Sequence, residues 1–109
     1  ERLGGMVTMG SPLALYSSRW TNFGTPIRMQ SRGIPWWNAL EHADPLAWPL
    51  TGLNPLYDSE VTKDVVLRPP WWDLMRRTPL THGGYWTSKR VAATIGDMIL
   101  KVTRPKESK

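Results

Sequence analysis

Two side chains of this sequence have the types that acid–base chemistry uses, and both lie in segments typical of turns. Asp44 stands directly before Pro45 in the run EHADPLAWPL, and His82 stands before two glycines in the run TPLTHGGYW. A carboxylate that accepts a hydrogen bond from an imidazole fixes its tautomer and stabilises the imidazolium that forms when the ring takes a proton. Asp44 and His82 therefore predict two members of a catalytic triad, provided that the fold brings them together.

Ser11 is the candidate nucleophile within the chain, because Ser11, Asp44 and His82 follow one another in a triad order known from hydrolases. Ser11 is followed by Pro12, however, and proline has no backbone N–H with which the position after the nucleophile could bind an oxyanion. We therefore interpret Ser11 as a turn residue that borders the site.

Structural alternatives exist for each of these residues. Asp44 before a proline is also a turn former that uses its side chain to accept a backbone hydrogen bond, and His82 is also readable as an ordinary loop histidine. His42 is two residues from Asp44 and is interpreted as structural or exposed. His42, Asp44 and His82 have the types of metal ligands, but their spacing does not favour a metal site, and we predict neither a metal nor a cofactor.

The composition limits the classes of protein to which the chain can belong. Its 109 residues are enough for one small domain, and 40% hydrophobic with 21% charged residues is typical of a globular chain. The absence of Cys excludes disulfides, thiol catalysis and zinc sites built on cysteine, and it fits a reducing compartment such as the cytoplasm. No apolar run reaches the roughly 18 residues that a membrane-spanning helix needs, and no signal peptide is visible.

The formal charge of +5 is unevenly distributed along the chain. Residues 1–60 have a net charge of −1 and residues 61–109 a net charge of +6, part of it in the tail KVTRPKESK. A basic tail can bind nucleic acid or anionic lipid, but no aromatic RNA-binding signature accompanies it here. We interpret the tail as a solvated extension and expect no nucleic-acid partner.

Seven tryptophans are many for a chain of this length, and four of them form the pairs Trp36–Trp37 and Trp71–Trp72. We interpret these side chains mainly as packing residues. Exposed tryptophans would instead line an apolar substrate cleft or a surface for a partner.

Three short runs rich in β-branched, aromatic and other apolar residues predict strands: Gly5–Met9, Ile34–Leu40 and Val61–Leu67. The segments between them are rich in proline and glycine. Apart from one or two helical turns over Leu13–Trp20, we predict these segments to be irregular, Pro45–Tyr57 as a surface segment and Arg68–Thr81 as a loop.

Residues 88–102 predict the best helix of the chain. Their apolar residues recur at helical spacing and form one stripe: Val91, Ile95, Met98, Ile99 and Val102. Thr87 or Ser88 can cap the helix, and Pro105 can end it.

Apolar strands separated by long connections predict a parallel sheet with a covering helix, which is the α/β class. Sites of such sheets collect at the carboxyl ends of strands, where Asp44 and His82 would meet. Three strands and one good helix are few for this class, and the chain begins with Glu1 rather than Met. We therefore expect residues 1–103 to be part of a domain, which the resemblance given next implies to be its C-terminal portion, and residues 104–109 to be a basic tail.

Three blocks of the chain, taken in order, resemble the C-terminal part of α/β-hydrolases of the lipase and esterase kind. VTMGSPLA (Val7–Ala14) resembles the strand and turn after the nucleophile-bearing helix, and NALEHADPLAWPL (Asn38–Leu50) resembles the strand and loop with the triad acid. TPLTHGGYW (Thr78–Trp86) resembles the loop with the triad histidine, which the last helix follows. The resemblance implies the C-terminal strands and last helix of a parallel sheet, incomplete as a domain. It also implies an enzyme that cleaves carboxylic esters with Asp44 and His82 as catalytic residues.

The family's nucleophile elbow, G-x-S-x-G, is absent from the chain. The resemblance then implies a nucleophilic serine outside these residues, on a missing N-terminal half or on another chain, and an ester or lipid-like small molecule as substrate. Two alternatives stay open. One is a non-enzymatic, Trp-rich basic module for binding or assembly, and the other is a degenerate hydrolase relative kept for assembly.

Overall fold

The computed structural model describes residues 3–17, 19, 24–68, 71–72 and 79–104. Its strands are β1 (Met6–Met9), β2 (Trp36–Glu41) and β3 (Lys63–Leu67), and its helices are α1 (Leu13–Ser17), α2 (Pro55–Glu60) and α3 (Lys89–Thr103). Within the described residues, 3₁₀ segments span Gln30–Arg32 and Pro79–Thr87. The three strands predicted from the sequence are present, each within two residues of its predicted bounds.

The strands form one parallel sheet in the order β1-β2-β3. The register aligns Met6 with Trp36 and Trp37 with Lys63. All six residues of the central strand β2 are buried, as expected for a parallel strand covered on both faces. The parallel sheet with its helices confirms the α/β class predicted from the sequence.

One face of the sheet is covered by α3. The Ser88 hydroxyl accepts a hydrogen bond from the Val91 N–H at 3.4 Å, so Ser88 caps the helix as predicted. Val91, Thr94 and Met98 are buried. The rest of the predicted apolar stripe is not fully covered, since the exposed fractions are 36% for Ile95, 54% for Ile99 and 39% for Val102.

The opposite face is covered by the segment 45–60. Residues 45–54 of this segment contain no helix or strand, as predicted, and the prediction of an irregular segment is wrong for residues 55–57. Its last part forms α2, because the Asn54 carboxamide oxygen accepts the backbone N–H groups of Leu56 and Tyr57 at 2.9 and 3.0 Å. Pro55 follows this cap at the first helical position, where its fixed φ suits the helix. Leu50 and Tyr57 of the segment are buried against Trp36, so the segment belongs to the core.

A chain of polar side chains ties this segment to the sheet. Asn38 of β2 is fully buried; its carboxamide oxygen accepts from the Thr8 hydroxyl at 3.0 Å, and its amide donates to Asp64 Oδ1 at 2.8 Å. Asp64 of β3 in turn accepts the backbone N–H groups of Leu50 and Thr51 at 2.9 and 3.0 Å. One carboxylate therefore joins a middle strand, an edge strand and the covering segment.

Two predicted segments differ from the structure in type or in bounds. The segment Thr78–Trp86, predicted as a loop, contains successive 3₁₀ turns over Pro79–Thr87. The helical turns predicted to end at Trp20 form α1, which ends at Ser17. The predictions made for Trp20, for residues 69–70 and 73–78 of the loop, and for residues 105–109 of the tail lie outside the described residues. In the described part of the chain, no helix is long and apolar enough to cross a membrane.

Candidate functional site

The candidate site lies at the edge of the sheet where the three strands end. Gly10 follows β1, Asp44 lies three residues beyond the end of β2, and His82 lies in the 3₁₀ segment that comes after β3. The Gly10 N–H donates to the Ala39 carbonyl of β2 at 3.0 Å, and the His42 N–H donates to the Leu67 carbonyl of β3 at 2.8 Å. These backbone bonds extend the sheet past its last strand residues and hold the chain that leads to Asp44.

The Asp44 carboxylate divides its two oxygens between two tasks. Oδ1 accepts the backbone N–H of Leu46 at 2.9 Å, which is the turn-forming role considered from the sequence. Oδ2 lies 2.9 Å from Nδ1 of His82. The structural and the functional interpretation of Asp44 are therefore compatible, because each uses a different oxygen.

The predicted contact between Asp44 and His82 is present, and its two partners differ in exposure. The Asp44 side chain is 0% exposed, whereas the His82 side chain is 40% exposed. An ionised carboxylate only accepts hydrogen bonds, so Nδ1 of His82 is the donor and Nε2 of the neutral ring is an acceptor. The imidazole thus has one nitrogen fixed by a buried acid and a second nitrogen able to take a proton.

Tyr85 is a member of the site that the sequence analysis missed. It is 3% exposed, and its hydroxyl donates to Asp44 Oδ2 at 2.7 Å while accepting the Glu41 backbone N–H at 2.9 Å. Burial raises the pKa of the Tyr85 hydroxyl far above its ordinary value; the Glu41 N–H opposes this rise, and the Asp44 carboxylate adds to it. Its place three residues after His82 in HGGYW was a signal, because tyrosine hydroxyls in buried positions usually bond a nearby polar group.

Gly10 lies against both rings of the site. Its φ of +62° is one that side-chain-bearing residues rarely adopt. A Cβ added there would lie 2.8 Å from Cε2 of Tyr85 and 3.2 Å from Cε1 of His82. The turn after β1 can approach the imidazole this closely because Gly10 has no side chain.

A groove of about 430 Å³ opens beside the imidazole. His82 and Arg19 are its polar lining residues, and the rest of its wall is formed by Pro12, Leu15, Tyr16 and Leu46. Small-molecule sites are typically clefts of roughly 300–1,000 Å³ lined mainly by apolar side chains. The size and lining of this groove are those of a site for an apolar group next to His82.

Ser11 and His42, the remaining candidate residues from the sequence, lie outside the contact between Asp44 and His82. The Ser11 hydroxyl accepts the Leu13 N–H at 3.5 Å, and within the described residues it makes no hydrogen bond with His82. His42 is exposed and lines a separate groove of about 350 Å³. Among the described residues, no group of three or more His, Cys, Asp and Glu side chains could hold a metal ion.

The tryptophan pairs also differ from each other. Trp36 and Trp37 are buried in the sheet, as interpreted from the sequence. Trp71 and Trp72 are exposed by 76% and 69% and pack edge to face on each other, so the packing interpretation is wrong for this pair. The two pairs share a sequence motif but only the first belongs to a strand, which explains the difference.

Comparison with known proteins identifies no relative of this chain. The chain matches no protein-family model, no curated protein sequence and no solved structure. We therefore infer its function from the geometry of Asp44, His82 and Tyr85.

Proposed function

We propose that this chain supplies the general base and its orienting acid to a serine hydrolase that cleaves carboxylic esters. The observation that carries the proposal is the 2.9 Å contact between a fully buried Asp44 oxygen and a partly exposed His82 imidazole. His82 Nε2 takes the proton of a serine hydroxyl as the serine oxygen attacks the ester carbonyl. The imidazolium then gives that proton to the leaving alcohol, and Asp44 stabilises the charged ring between the two steps.

The order of the elements supports an α/β-hydrolase arrangement. An acid after the middle strand, a histidine after the next parallel strand and a final helix follow one another along the chain. Acid then histidine is the order of the triad in that family. We infer that residues 1–103 are the C-terminal portion of such a domain.

The nucleophilic serine comes, on this proposal, from sequence outside these 109 residues. Ser11 does not bond His82 in the described structure, and Pro12 follows it. In addition, Ile95 and Ile99 of α3 are partly exposed, and contiguous exposed apolar surface marks interaction sites. A missing N-terminal half or another chain would cover this surface and bring the serine to His82.

The groove next to His82 favours an ester with an apolar acyl group. Leu15 and Leu46 are exposed by 40% and 42% and form part of its wall. An alkyl chain lying there would remove these side chains from water and gain roughly 25 cal/mol for each Å² of apolar surface buried. The substrate proposed is accordingly a small ester or lipid-like molecule.

Labelling with a fluorophosphonate tests the proposal, because this reagent phosphonylates serines that a neighbouring base activates. The complete protein that contains this chain is labelled and digested, and the modified serine is located by mass spectrometry. We expect one modified serine outside residues 1–109. The proposal is contradicted if no serine reacts or if Ser11 is the labelled residue.

A binding module is the second candidate, and exposed tryptophans favour it. Trp71, Trp72 and Trp86 are exposed by 76%, 69% and 84%, and large exposed aromatic side chains are enriched in interfaces. A Trp71→Ala and Trp72→Ala double variant would then lose its partner in a pull-down from the native source. The same loss in a His82→Ala variant would argue against this candidate.

A further inference from the structure

The Tyr85 hydroxyl has a hydrogen-bonding direction that its surroundings impose. It lies 2.9 Å from the Glu41 backbone nitrogen and 2.7 Å from Asp44 Oδ2. A backbone N–H can only donate, so the hydroxyl accepts from Glu41. The single hydroxyl proton is therefore directed to Asp44, and burial, which raises the pKa of Tyr85, keeps that proton in place through the neutral range.

This hydrogen bond ends on the same oxygen that meets the imidazole. Oδ2 of Asp44 accepts from Tyr85 and from His82, while Oδ1 accepts from Leu46. Donors on both oxygens fix the rotation of the carboxylate group. Without the hydroxyl, the Leu46 N–H and the imidazole itself would be the remaining donors to the carboxylate among the described residues.

The Tyr85 ring also contacts the imidazole. The two rings lie edge to face, with centroids 6.1 Å apart and planes at 81°. Gly10 lies against both rings, close enough that a Cβ there would be 2.8 Å from Tyr85. The Tyr85 side chain thus bonds Asp44 through its hydroxyl and packs against His82 through its ring.

From this geometry we infer that Tyr85 is the positioning residue of the Asp44–His82 pair: its hydroxyl holds Oδ2 toward Nδ1, and its ring limits the tilt of the imidazole. Tyr85 acts through these two residues and does not line the groove beside His82. The inference rests on the proposed function for its kinetic consequence, but the positioning itself is measurable without any reaction.

The first test uses the unmodified chain and proton NMR. Hydrogen atoms lie about 1.9–2.0 Å from their acceptors, so two protons bonded to one oxygen lie within about 4 Å of each other. We expect a nuclear Overhauser cross-peak between the Tyr85 hydroxyl proton and the His82 Nδ1 proton. A resolved Nδ1 proton without this cross-peak, or a Tyr85 hydroxyl proton that exchanges rapidly with water, would overturn the inference.

The second test compares Tyr85→Phe with Tyr57→Phe. Tyr57 is a matched control, since it is also buried, at 5% exposed, and packs on Trp36 in the other core cluster. We expect Tyr85→Phe to broaden or shift the His82 Nδ1 proton signal while Tyr57→Phe leaves it unchanged. An unchanged signal in a folded Tyr85→Phe protein would overturn the positioning role.

Kinetics of the complete enzyme give the consequence for the reaction. Losing a hydrogen bond to a charged group predicts a fall in kcat of about tenfold to a hundredfold in Tyr85→Phe, with KM within about twofold. A rise in KM at constant kcat would show a substrate contact instead and contradict the inference. A wild-type protein that hydrolyses no ester but shows the NMR cross-peak would refute the proposed function and leave the positioning of Asp44 intact.

Discussion

Asp44 and Asp64 are two carboxylates of one small sheet that meet different kinds of donors. Asp64 lies within β3 and accepts from the Asn38 amide and from the backbone N–H groups of Leu50 and Thr51. Asp44 lies beyond the end of β2, and one of its oxygens bonds the imidazole of His82. Amide N–H groups only donate, whereas a neutral imidazole also has a ring nitrogen that can accept a proton. The difference separates an acid that holds the fold from an acid able to support proton transfer.

The largest effect on activity is expected from a substitution of Asp44. In Asp44→Asn the single amide oxygen stays with the Leu46 N–H, so the N–H₂ group takes the place of Oδ2 and faces both the Tyr85 hydroxyl and His82 Nδ1, which favours the wrong tautomer. We expect kcat/KM for ester hydrolysis by the complete protein to fall on the order of a thousandfold to ten-thousandfold, with little change in melting temperature. A loss smaller than about tenfold would exclude the triad role.

Breaking the other carboxylate should change stability rather than chemistry. Asp64→Ala removes the acceptor of the Leu50 N–H and one of the two acceptors of the buried Asn38 amide, which also donates to the Trp48 carbonyl. We expect the free energy of unfolding in urea to fall by about 2–4 kcal/mol, since each buried unsatisfied group costs about 1–3 kcal/mol. Asp97→Ala, at an exposed position of α3, serves as control and should stay within about 0.5 kcal/mol.

Gly10 tests the packing around Asp44, because it lies against Tyr85 and His82, the two side chains that bond Asp44 Oδ2. Gly10→Ala places a Cβ 2.8 Å from Tyr85 at a φ of +62°. We expect a loss of about 2 kcal/mol in a thermal melt, of which the backbone conformation accounts for about 1 kcal/mol. Gly33→Ala has φ +73° but no neighbour within 4 Å and isolates the backbone part. Equal losses in the two variants would mean that the site tolerates the added methyl group.

The smallest effect concerns a third carboxylate, Glu60, and is seen as a pH dependence. Burial alone would raise the pKa of Glu60, but hydrogen bonds from the Met29 and Ser31 backbone N–H groups lower it below its ordinary value. A lowered pKa in the folded state stabilises the protein above the unfolded pKa of about 4.3, and this stability is lost as pH falls through the folded value. Glu60→Gln should therefore reduce the slope of stability against pH below about pH 5. An identical slope in the variant would mean that Glu60 does not contribute.

Periodicity and turn chemistry predicted the strands, the parallel sheet and α3, because each is encoded in adjacent residues. The meeting of Asp44 and His82 was also predictable, since strand ends of a parallel sheet share an edge. The sequence pattern did not predict α2, because the prolines and the glycine of Pro45–Tyr57 favoured an irregular segment although Asn54 and Pro55 together form a helix start. Tyr85 was missed because its partners, Glu41 and Asp44, are 44 and 41 positions away, so its place after His82 in HGGYW marked it as a candidate but did not identify these partners.

A comparison of His82 with His42 tests most directly whether the Asp44–His82 pair activates a serine. His82 bonds Asp44, whereas His42 is exposed and lines a groove with Asp44 but makes no hydrogen bond to it within the described residues. Ester hydrolysis by the complete protein is measured for His82→Ala and for His42→Ala. We predict a loss in kcat/KM on the order of a thousandfold or more for His82→Ala and a change within about twofold for His42→Ala. Equal activity in both variants would contradict the claim that the Asp44–His82 pair activates a serine.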